Sequence, residues 1–135
     1  MGSILRGAFT GAIPHLASAT SANGTARTAT TPVSTQQMEP GTISFLCQAT
    51  IVTGSVVATF NVQVSDDDTT YYDLKTQNNA ANVTVTATGS VVLSVPMSAS
   101  GWLYVRCTAT LSGAATAAGD LTQVDLRFLR FDELL

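Results

Sequence analysis

At 135 residues the chain has room for one domain of ordinary size, enough to bury roughly two-thirds of the surface its unfolded form exposes. Charged residues make up only 11% of it, against about 25% in a typical globular domain, so much of its surface is expected to face neighbours and not water. The net charge of −3, with the six Lys and Arg scattered along the chain, argues against a general nucleic-acid binder.

Residues 1–40 read as an extended N-terminal arm, and residues 41–135 as a β-sandwich domain. Ala, Ser, Thr and Gly dominate the arm, as in Ala17 to Thr31, and no helical or strand period places a buried face there. Pro32 and Pro40 fix extended or turn geometry around Val33 to Glu39. Such a segment buries too little to offset its own ordering entropy. It needs support, from its own domain or from a neighbouring subunit, and the neighbour is the expectation.

Met1 to Thr10 lacks the continuous apolar stretch of a signal peptide, and Arg6 stands where an N-myristoylation pattern needs Ser or Thr. Nothing approaches the ~20 apolar residues of a membrane-spanning helix, so no membrane partner is expected. Asn23-Gly-Thr25 and Asn82-Val-Thr84 fit the N-glycosylation pattern, but without a secretory signal they read as chance in a Thr-rich chain.

From Thr42 a period of two takes over. Ile43, Phe45, Cys47, Ala49 and Ile51 share one face, with Leu46 the apolar exception on the other. After Gly54, Val56, Ala58, Phe60, Val62 and Val64 point inward. Asp66-Asp-Asp-Thr69 makes a polar turn, and Tyr71 to Leu74 returns as a short strand. Val83, Val85 and Ala87 alternate with threonines; Val91, Leu93 and Val95 follow, and Pro96 ends that strand. Leu103, Val105, Cys107, Ala109 and Leu111 form the next inward set, and Val124, Leu126 and Phe128 the last. About seven short strands separated by turn signals, with no credible helix, predict an all-β antiparallel two-sheet sandwich, Ig-like or jelly-roll-like.

Few residues suggest chemistry. His15, the single histidine, lies in the arm between Pro14 and Leu16, where no rigid partners for acid–base work are expected. Cys47 and Cys107 share the inward phase and read as buried free thiols; Trp102 precedes the second cysteine, which is not the immunoglobulin arrangement. Asp66, Asp67 and Asp68 are consecutive, whereas calcium loops draw ligands from alternating positions, so a solvated turn is expected. No catalytic residue, cofactor or metal site is expected, and the chain reads as non-enzymatic.

Phe60 to Leu74 combines an alternating strand, Ser-Asp-Asp-x-Thr-Thr, an aromatic pair and Asp-Leu. With the strand Val91 to Pro96 and the segment Trp102 to Arg106, it resembles the small β-sandwich proteins of tailed-bacteriophage virions. The resemblance covers roughly residues 59–110 and departs from the family's pattern at Asp68, where Gly is common, and at Tyr71 or Tyr72, where Trp often stands. Related hairpins occur in capsid decoration proteins, head fibres and tail components.

The resemblance implies a virion structural protein, assembled in the host cytoplasm. The expected role is a capsid decoration, or cement, protein that binds the major capsid protein as a homo-oligomer, with a trimer as the expected form. The alternative is a tail, neck or fibre module that binds host glycan through Tyr71, Tyr72 and Trp102. Exposed apolarity marks Ile4, Leu5 and Phe9 for shell contact, and Leu126, Phe128, Leu129 and Phe131 for subunit packing.

Overall fold

The computed structural model describes residues 4–9, 13–21, 24–28, 33–34, 42–53, 56–74, 82–96, 102–112, 119–127 and 129–134. Phe128, read as inward and marked for subunit packing, lies outside the described residues. The described residues contain strands and turns but no helix. The strands are β1 (Ile4–Phe9), β2 (Ile13–Ala19), β3 (Ala26–Arg27), β4 (Val33–Ser34), β5 (Thr42–Thr50) and β6 (Ala58–Ser65). They continue with β7 (Tyr72–Asp73), β8 (Asn82–Val85), β9 (Gly89–Pro96), β10 (Tyr104–Leu111), β11 (Leu121–Arg127) and β12 (Leu129–Leu134).

Two antiparallel sheets form the sandwich. One has the order β2-β11-β5-β9. The other is built on β10 and β6, with β3 and β4 along the free side of β10, and β7 and β8 along the free side of β6. β1 and β12 pair with each other in a separate two-stranded ribbon.

Alternation builds the core. Ile43, Phe45, Cys47 and Ala49 of β5 face Ala58, Phe60, Val62 and Val64 of β6, with Val105, Cys107, Ala109 and Leu111 from β10 and Val124 and Leu126 from β11. Their side chains are buried, and transfer of that apolar surface from water is the main force closing the two layers. Cys47 and Cys107 are unbridged within this core. The Cys107 thiol donates to the Thr108 carbonyl at 3.7 Å, and the neighbouring Cys47 thiol together with burial pushes its ionisation well above the ordinary range.

Two inward assignments and one interface assignment change. Leu103 precedes β10, which begins at Tyr104, and is exposed. Ala87 falls in the bend between β8 and β9 and is exposed as well. Leu126, marked for subunit packing, is buried in the chain's own core opposite Phe45, so its apolar surface is not offered to a neighbour.

The larger difference lies in the leader. Ile13–Ala19 pairs with β11, while Ala26–Arg27 and Val33–Ser34 pair with β10, so the chain's own sheets hold these residues in place of the expected neighbour. Gly24 makes the turn between the layers at φ 76°, a left-handed conformation glycine adopts without a Cβ clash, and its N–H bonds to the Leu111 carbonyl at 2.8 Å.

Candidate interaction surface

His15 owes its position to an irregularity. One step along β11, from Val124 to Asp125, spans two along β2, from Leu16 to Pro14, so His15 is the extra residue of a β-bulge. Bulges re-aim side chains. Here the imidazole is turned onto Phe45, with ring centroids 5.3 Å apart, and its Nε2 accepts the backbone N–H of Cys107 at 3.1 Å. β3 and β4 pair with β10 at Ala109–Thr110 and Tyr104–Val105, leaving an interval between them. His15 satisfies the N–H in that interval. Burial holds its pKa down at about 4, so at neutral pH the ring is uncharged and Nε2 is an acceptor. With that lone pair committed, His15 serves as a structural residue of the sandwich.

Two further polar residues tie the layers. The Arg27 guanidinium, carried on β3, donates to the carbonyls of Ala17, Ala19 and Thr122 and to the Thr122 hydroxyl, reaching from one sheet to two strands of the other. Asp120 is fully buried ahead of β11, where its carboxylate accepts Val52 N–H at 2.9 Å, Thr53 N–H at 3.1 Å and the Thr53 hydroxyl at 2.7 Å. It fastens the β5–β6 connection to the start of β11.

The β6–β7 turn carries the aspartates. Buried Ser65 accepts the N–H groups of Asp67 and Asp68 through its Oγ and donates to Asp67 Oδ1 at 3.0 Å. The same Asp67 oxygen accepts Thr69 N–H and Thr70 N–H, each at 2.9 Å; these bonds hold its carboxyl below the usual carboxylate range. Asp68 stands at φ 57°, in the left-handed region that non-glycine residues seldom adopt. Its Oδ1 accepts the Tyr71 hydroxyl at 2.6 Å. Asp73 Oδ1 accepts from the side-chain amides of Asn61 and Gln63 at 2.7 and 3.0 Å. The turn is held by its own hydrogen bonds, and among the described residues no three metal-ligating side chains converge.

The three aromatics expected to form one platform divide. Tyr72 is in register with Val64 and Asp73 with Gln63, so successive residues look to opposite sides of the sheet. Tyr71 lies on the outer face beneath Arg106, whose guanidinium carbon is 3.6 Å from the ring centroid and whose Nε donates to Gln63 at 2.9 Å. Burial and the Asp68 hydrogen bond raise the Tyr71 phenol above its ordinary range. Tyr72 leans instead on Trp102, with centroids 5.6 Å apart and planes tilted by 41°. Trp102 packs against the core, and Tyr72 is exposed.

The apolar positions at the two chain ends come together. Ile4, Leu5 and Phe9 lie in β1, and Leu129 and Phe131 in β12, in a register that sets Phe9 opposite Leu129, Gly7 opposite Phe131 and Ile4 opposite Leu134. Two segments expected to act separately are thus one paired element. Sequence reasoning missed this element, the Arg27 clasp and the Asp120 anchor, since each joins residues remote along the chain. No protein-family model, curated protein or solved structure matches this chain.

Proposed function

We propose that this chain is a non-enzymatic structural protein of a tailed-phage virion, a capsid decoration protein that binds the major capsid protein and stabilises the head shell. The observation that carries the reading is the ribbon. A two-stranded ribbon is marginally stable alone in water, and among the described residues neither β1 nor β12 pairs with any other strand. Both strands carry large apolar residues, which suits an element completed by docking on another protein. The resemblance over residues 59–110 and the scarcity of charge supply the class of partner.

Removing residues 1–38, nearly all of the expected arm, would strip β2, β3 and β4 from both sheets, so the informative deletion is shorter. Deleting residues 1–10 removes β1 and leaves every strand of the sandwich. The variant is expected to keep cooperative unfolding and to lose sedimentation with empty heads; undiminished binding would sink the ribbon as the docking element. Copy number in purified virions tests the role itself. Hundreds of copies in proportion to the shell protein are expected, and a dozen or fewer would move the chain to the neck, tail or fibre.

The exposed Tyr72 beside Trp102 favours the second reading, a tail or fibre module that stacks host glycan on this aromatic pair. A glycan array that retains the protein but not its Tyr72→Ala variant would put that reading first.

A further inference from the structure

The edges of the sandwich differ in character. On β2, Pro14 lacks an N–H, the His15 bulge breaks the register, and Arg27 occupies the carbonyls of Ala17 and Ala19. On the other sheet the outermost strands are short: β3, β4 and β7 have two residues each and β8 has four. β9 has none of these features. It runs for eight residues without a charge or a register shift against β5, and among the described residues no strand pairs along its outer side. Natural sheets usually block a long edge with charge, proline or a bulge, because its unpaired N–H and C=O groups recruit another strand. Here Pro96 stands only at the last position.

We infer that β9 is the pairing edge for a second copy of this chain, the two β9 strands adding antiparallel across a two-fold axis and joining two four-stranded sheets into one. An antiparallel pair of identical strands is isologous by construction. With the axis at Val92, that residue meets its own counterpart, Ser90 stands opposite Ser94, and Val91 stands opposite Leu93. Apolar residues then meet apolar ones, hydroxyls meet hydroxyls, and no like charges are opposed. Such self-match is what selects a second copy over an unrelated extended peptide.

The outer face fits the same arrangement. Val92 is 63% exposed at mid-strand, and Leu46, in register beside it on β5, is half-buried. Pairing at the axis joins Leu46 and Val92 of each copy into a continuous apolar stripe. Ser44 and Ser94 flank it, their hydroxyl oxygens 3.0 Å apart in a hydrogen bond. The inference concerns how copies meet and does not rest on the virion reading; loss of the two-fold contact and loss of capsid binding are separate observations.

The test uses the full chain and two cysteine variants. Residues directly opposed in an antiparallel pair have Cα atoms about 4.5–5.5 Å apart, inside the ~4.4–6.8 Å range that a disulfide bridges. Val92→Cys under glutathione disulfide is therefore expected to form covalent dimers, two thiols giving one disulfide as the oxidant is reduced to two glutathiones. Its initial rate should exceed that of Val52→Cys, at an equally exposed position (66%) in the β5–β6 connection, by roughly tenfold or more. Sedimentation of the unmodified protein should give an even multiple of the chain mass, halved by Val92→Lys, which opposes two ammonium groups at the axis. Equal crosslinking rates, or a mass that Val92→Lys leaves unchanged, overturns the inference; an edge taken by a different extended partner gives that second result.

Discussion

Replacing Asp120 with Ala is expected to lower the unfolding free energy by about 3–5 kcal/mol, a drop of roughly 10–20 °C in Tm for a chain of this size. The carboxylate accepts three hydrogen bonds, two of them from the backbone N–H groups of Val52 and Thr53, and its side chain is fully buried. Alanine leaves those donors without their acceptor in a region closed by the fold, and each unmade bond to a charged group costs about 1.5–3 kcal/mol. Asp120→Asn keeps one carbonyl oxygen for the two N–H groups and should lose about half as much. Denaturant unfolding of both variants checks this; a loss below about 1 kcal/mol for the alanine variant would show that the β5–β6 connection is not anchored there.

Acid is expected to weaken the protein through His15 before most carboxylates respond. The folded pKa of about 4 lies below the ordinary value of 6.5, so folding favours the neutral ring. The contribution is therefore complete above pH 6.5, falls as pH drops through the interval, and is fully lost below about pH 4. Over that span it amounts to about 3 kcal/mol, with protonation also removing the acceptor that Cys107 N–H uses. His15→Gln supplies a non-titrating side chain with an acceptor oxygen. Its stability should be nearly flat between pH 7 and 4.5, whereas the unmodified protein declines; parallel curves for the two proteins would remove His15 as the cause.

What could be read in advance follows from where the physics is local. The inner faces of β5, β6, β10 and β11 were legible because period-two burial is written within each strand, from Ile43 to Ala49 and from Ala58 to Val64. The same rule separates Tyr71 from Tyr72, and an aromatic platform including both overlooked it. β2 was hidden because Pro14 and the bulge at His15 erase the alternation, and what makes it a strand is β11, far along the chain. Arg27 and Asp120 looked like isolated charges in a weakly charged sequence. Their acceptors and donors include Thr122 and Val52, 95 and 68 residues away, and no local pattern encodes such pairs.

The strands nearest the N-terminus lean on those nearest the C-terminus: β2 on β11, β3 and β4 on β10, and β1 on β12. His15 and Cys107, joined by one hydrogen bond, are 92 residues apart. During synthesis these four strands therefore have no partners until the strands between residues 104 and 134 have left the ribosome. Non-local pairing of this kind must offset loop-closure entropy before any contact rewards it, which makes folding slow and late. Until then the low charge leaves the nascent chain with little electrostatic protection from its neighbours.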